Sequence, residues 1–198
     1  MSRFRSRVGP TLIAVALAVG IGTVYATPAV AGVPAMKQLP IAMQIQQKSK
    51  WCWVAVGATI ASYYGDGITQ NSFCNLAKGT SGTCPNNAGS AAYVQSAFSQ
   101  LGYVSPGDDY KSFISYADVR KEILANRPFY AGVSWTSGGG HAVVVYGFMD
   151  DDGFLGRNSI FYATPTASHT RYNLRDYTYF KSNKDYAWTR TLDNIRRK

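Results

Sequence analysis

The chain has 198 residues, with twenty Lys or Arg against eleven Asp or Glu and a formal net charge of +9 at pH 7. That is enough chain for one domain with a real core, and its basic excess fits either a solvated basic face or an acidic cell-envelope surface. No stretch resembles a nucleic-acid module, and the histidines and cysteines lack the C-x-x-C or H-x-x-x-H spacing of metal ligands, so no nucleic-acid partner, metal or other cofactor is expected.

Residues 1–31 read as a secretory signal peptide. Arg3, Arg5 and Arg7 precede an apolar run from Thr11 to Ala26, and Ala29-Val30-Ala31 gives a small-x-small cleavage site before Gly32. The apolar run is shorter than the roughly 20 residues that cross a bilayer, which disfavours a retained anchor. The expected mature chain is a single extracellular domain, residues 32–198, with no membrane attachment after cleavage.

Residues 32–45, with Pro34 and Pro40, read as an extended lead-in. Trp51 to Tyr64 reads as a buried helix: Cys52, Val56, Ile60 and Tyr64 recur at i, i+4, and Gly65 stops it. Residues 66–90 read as turns. "GSAAYVQSAFSQLGY" is expected to be a second helix ended by Gly102, and "SYADVRKEILANRP" a third, closed by Pro128. From Phe129 the period changes: "PFYAGVSW", "HAVVVYGFM" and "SIFYAT" read as strands, "YNLRDYTYF" as a late strand, and the rest as an aromatic-basic tail with a frayed "NIRRK" end. Helices first and an antiparallel sheet afterwards make an α+β plan.

Three cysteines in an exported chain leave at least one unpaired within it. Cys74 and Cys84 bracket "NLAKGTSGT", a loop able to fold back on itself, and are expected to form a disulfide. Cys52 is then the free thiol, placed at a helix start whose partial positive charge lowers a thiol pKa. Of the two histidines, His169 lies in the polar "TASHTRY" and reads as solvated. His141 follows three glycines and opens an apolar strand, so it is able to take the Cys52 proton. Six residues before Cys52, the Gln46 amide can donate to an oxyanion beside the Cys52 N–H.

With "QQKSKWCWVAV", "RPFYAGVSWTSGGGHAVVVYGF" and "YTYFKSNKDYAWTRTLDNI", the chain resembles the papain-like cysteine peptidases, in the small secreted bacterial branch that includes staphopain-like and AvrRpt2-like enzymes. The resemblance implies a papain-like fold: an N-terminal helical part, with the nucleophile helix packed on a C-terminal antiparallel sheet. It implies Cys52 as nucleophile, His141 as general base and acid, and Gln46 as oxyanion donor, with Gln47 as runner-up. It also implies a protein or peptide substrate.

One position departs from that family, which places Asp or Asn where the return strand ends, to orient the imidazole. Here the strand ends "FYATP", and Thr164 holds the place. The alternatives are Asn158 and the run Asp150-Asp151-Asp152. Eight residues of strand after His141 carry the chain about 26 Å away, and six residues of return bring it back about 20 Å. Thr164 is therefore expected near His141, and Asn158 and the acidic run at the far end of the hairpin. Two other functions fit the same residues: a Cys-His transglutaminase, deamidase or peptidoglycan amidase, and a catalytically silent interaction module.

Overall fold

A computed structural model describes residues 35–151 and 157–198. The signal peptide expected over 1–31 and Asp152 of the acidic run lie outside the described residues. Among the described residues, no helix is long and apolar enough to cross a membrane.

The element that positions everything else is helix α1, Cys52–Tyr63. Its sequence is apolar on nearly every face, and such a helix is stable only when enclosed; every residue from Trp53 to Ala61 is buried. Close packing depends on Gly57, where a Cβ would overlap the Phe73 ring. That ring belongs to α2, Gln70–Lys78, a helix within the stretch expected to be turns. The Thr69 side chain caps α2 by accepting from Ser72 N, and Gly79 ends it in the left-handed region at φ 63°. Phe73, Cys74 and Ala77 form its buried stripe. The sulfurs of Cys74 and Cys84 lie at bonding distance, with Cα atoms 6.1 Å apart. Helices α3, Ala91–Gln100, and α4, Tyr116–Leu124, fall inside the segments expected for them, α4 capped by Ser115.

The strands form one seven-stranded, all-antiparallel sheet: β1 Met36–Gln38, β2 Ser105–Tyr110, β3 Phe129–Trp135, β4 Gly140–Met149, β5 Ser159–Ala163, β6 Tyr172–Asp176 and β7 Tyr186–Arg196. The order is β2-β7-β3-β4-β5-β6, with β1 pairing β4 beyond the end of β3. The fold is α+β, as the sequence indicates.

Three more expectations are corrected, and one strand arises where no element was expected. The lead-in contains β1. The "NIRRK" end is not frayed, because β7 continues through Arg196 and Ile195 is fully buried between β2 and the helices. Strand β2, "SPGDDY", is built from residues of poor strand propensity and takes its form from its partner β7. "YNLRDYTYF" is strand only to Asp176, whose side chain accepts from Tyr179 N and starts a short helix α5, Tyr177–Lys181.

Candidate active site

Cys52 is the first residue of α1, and Trp51 and Trp53 on either side of it are pegs. Trp51 Nε1 donates to Pro85 O at 3.0 Å and Trp53 Nε1 to Asn87 O at 3.1 Å. Together they fasten the 85–89 loop beside the helix start. Gly89 lies flat on the Trp53 indole, where any Cβ would overlap the ring. This loop is one wall of a cleft of about 530 Å³, and β3 is the other: Gln46, Ser49, Cys52, Gly89, Gly132 and His141 all line it. The cysteine and the histidine singled out by sequence therefore share one cleft. The half-buried Cys52 thiol is met by the backbone N–H of Ala142, the residue after His141, and by those of Trp53 and Cys52 itself.

His141 opens β4 opposite Val133 of β3. The turn before it needs glycine: Gly138 and Gly139 have φ of 93° and 78°. A Cβ on Gly140 would press on Val133 O. The imidazole Nε2 lies 2.8 Å from Thr164 Oγ1, and Thr166 Oγ1 stands at 3.4 Å from the same nitrogen. Thr164 in turn donates to Thr166 at 3.4 Å. This chain of hydroxyls suits the tautomer with Nε2–H donating to Thr164, which leaves Nδ1 as an acceptor. Trp135 stacks on the imidazole, with centroids 6.3 Å apart and planes 25° from parallel.

Asn158 is elsewhere. Its Oδ1 accepts from Asp151 N at 3.1 Å, closing the far end of the β4–β5 hairpin, and Asp150 pairs with Arg120 at 2.8 Å. Gln46 lines the cleft, but its Nε2 donates to Lys48 O at 3.0 Å and Ser49 O at 2.9 Å. Both amide hydrogens are thus engaged in holding the turn before α1. Gln47 is not among the lining residues; its N–H donates to Gln70 Oε1 at 3.0 Å.

The electrostatics differ from the simple helix-terminus expectation for Cys52. Burial raises the thiol pKa above its ordinary value, and this outweighs the opposing pull of the three N–H groups. Burial likewise pushes His141 down to about 4, helped by the positive charge His169 carries when protonated. Both shifts favour an uncharged thiol–imidazole pair. No carboxylate among the described residues pairs with His141 to oppose them.

Sequence reasoning passed over four neighbours. His169, expected to be merely solvated, is exposed yet close enough to act on His141. Thr166 is the second hydroxyl on Nε2, and Trp135 the aromatic cover. Tyr130 lies in the cleft near Cys52, its hydroxyl pKa raised chiefly by burial and then by the thiolate. Of these, His169 carried a signal, as the only histidine besides His141. The others depend on register and approach.

A cysteine at the start of a buried helix, sharing one cleft with a histidine near the start of a strand in an antiparallel sheet, defines the papain-like class of cysteine peptidase. The family model described as "papain-like cysteine protease AvrRpt2" matches residues 34–183, and the chain belongs to that family of hydrolases. No curated protein matches the chain. Among solved structures it is similar to the peptidase domain of Streptococcus ComA, a bi-functional ABC transporter involved in a quorum-sensing pathway. The identity is 19% over 78% of this chain and 97% of that one, with a TM-score of 0.59. It is also similar to a double glycine motif protease from an AMS/PCAT transporter in complex with its leader peptide. There the identity is 14% over 81% of this chain and 94% of that one, with a TM-score of 0.51. At these identities the two structures speak to the fold.

Proposed function

We propose that the chain is exported and hydrolyses peptide bonds through an acyl-enzyme on Cys52. The observation that carries this reading is the shared cleft of Cys52 and His141, with the imidazole Nε2 held 2.8 Å from Thr164 Oγ1. His141 Nδ1 takes the Sγ–H proton as sulfur attacks the scissile carbonyl carbon. The carbonyl oxygen, now an anion, is received by backbone N–H at the start of α1, and by Gln46 Nε2 once it releases Lys48 O or Ser49 O. Collapse of the adduct breaks the C–N bond while His141 returns the proton to the leaving nitrogen. Water, deprotonated by the same imidazole, then cleaves the thioester.

Burial disfavours both charged forms and so favours a neutral pair at rest, with the proton passing to the imidazole as the sulfur attacks. Thr164 and Thr166 hold the tautomer without supplying charge. A peptide substrate is supported by the leader peptide held by one structural neighbour. Export is supported by the n-region, apolar run and Ala29-Val30-Ala31 site, and by a Cys74–Cys84 pair that forms a disulfide in an oxidising compartment.

The test is casein and peptide hydrolysis by the full chain expressed with its N-terminal segment, beside Cys52→Ala. Culture fluid is expected to contain active protein beginning at Gly32, and the alanine variant is expected to be folded and inert. Wild-type turnover by Cys52→Ala contradicts the nucleophile; protein retained in the cell with residues 1–31 attached contradicts export. A second reading, a silent interaction module, draws on the uncharged Thr164, and predicts no turnover by either form.

A further inference from the structure

The cleft does not end at His141. Past the imidazole it continues into a second lobe of about 330 Å³, which shares Val133, His141 and Thr166 with the first and is lined by neither Cys52 nor Gln46. Its walls are aromatic. Trp135 meets Tyr186 edge-on at 5.6 Å, and Phe180 packs against Tyr162 at 4.9 Å and Tyr186 at 6.1 Å. Its polar lining includes His169 and Arg175, and no Asp or Glu lines it. The exposed Arg175 guanidinium lies 5.8 Å from the Tyr179 ring centroid and forms no ion pair among the described residues.

We propose that this lobe is the subsite for the departing segment of the substrate, and that it selects peptides carrying Asp or Glu just downstream of the scissile bond. The proposal rests on the thiol-peptidase reading above. In that reaction the acyl carbon stays on Cys52 at the start of α1, while the leaving nitrogen must face the imidazole that protonates it. The chain beyond that nitrogen therefore passes over His141, away from Cys52 and Gln46, and this is where the second lobe begins. An extended peptide advances about 3.3 Å per residue, so side chains one to three positions downstream enter the lobe. The rings of Trp135 and Tyr186 accept an aliphatic stem, and Arg175 meets its carboxylate. A lysine or arginine in the same place faces the Arg175 charge, so exclusion adds to attraction.

The experiment is digestion of a peptide library made from a chymotryptic proteome digest, with every cleavage mapped by mass spectrometry. Wild type, Arg175→Glu and Cys52→Ala are compared. Wild type is expected to enrich Asp and Glu about three- to fivefold within three positions downstream of its cuts, the scale of a partly exposed ion pair. Arg175→Glu, at an exposed position, is expected to keep the wild-type melting temperature and to enrich Lys and Arg there instead. Equal downstream profiles for the two forms, or a wild-type profile without acidic enrichment, overturn the subsite while leaving the peptidase intact. Absence of any Cys52-dependent cleavage overturns the peptidase reading itself, and the subsite with it.

Discussion

Replacing Thr164 by Asp converts a neutral imidazole partner into a charged one without a large change in volume. Thr164 is 7% exposed and its oxygen lies 2.8 Å from His141 Nε2, so little water screens what is placed there. An opposite charge at such range raises a histidine pKa by roughly 1–3 units. The His141 value of about 4 is therefore expected to move into the region of roughly 5–7. Catalysis by the neutral pair needs an unprotonated imidazole, so the acid limb of kcat/KM shifts upward by the same amount. Thr164→Ala removes one neutral hydrogen bond, with Thr166 still 3.4 Å from Nε2. The cost is about 1 kcal/mol, or a loss of roughly tenfold or less, with the acid limb unmoved. The assay is a pH–rate profile from pH 3.5 to 10 on one peptide, for wild type, both Thr164 variants and Asn158→Ala. A wild-type acid limb near pH 6.5, or collapse of Asn158→Ala while both Thr164 variants match wild type, refutes the reasoning.

Two further predictions concern stability. Asp193 is 8% exposed, its Oδ1 has no hydrogen-bond partner among the described residues, and its carboxyl is raised to about 7 by burial and by Glu122, Asp108 and Asp118, against Arg127. A folded pKa above the unfolded value means that the proton is held more tightly in the native state. The contribution is full below pH 4 and is lost as pH rises towards 7. Asp193→Asn is expected to gain on the order of 2–4 kcal/mol over wild type between pH 5 and pH 8 in denaturant melts, and an unchanged difference across that range contradicts it. Replacing Cys74 and Cys84 by Ser opens a short loop and is expected to cost about 2–3 kcal/mol, read as a lowered Tm with Cys52 labelling retained. Non-reducing peptide maps that join Cys52 to either residue contradict the pairing.

The elements legible in the sequence are those whose own residues decide them. Helix α1 shows its unbroken apolar surface and its Gly65 stop, and β3, β4 and β5 are rich in branched and aromatic residues between clear turns. The elements that were not legible are settled by partners. "SPGDDY" becomes a strand only because β7 lies beside it, and β7 itself hides in an aromatic-basic segment whose register slips at a bulge between Gly132 and Val133 of β3. Helix α2 was masked by polar residues, although Phe73, Cys74 and Ala77 mark its buried side. At the site, counting residues along two strands was enough to bring Thr164 to His141 and to send Asn158 away. Counting could not reveal the Trp135 ring over the imidazole, the second hydroxyl of Thr166 or the approach of His169, because these arise where loops fold back. Nor could it reveal that burial outweighs the helix terminus at Cys52: the sign of a pKa shift depends on how deeply the group is enclosed.

The most direct test of the Cys52–His141 assignment is mass spectrometry of the folded protein after treatment with an epoxide thiol-protease inhibitor. One adduct is expected, on Cys52, forming in wild type and greatly slowed in His141→Ala at pH 7. Full-length protein without an adduct, or equal labelling of the two forms, contradicts it.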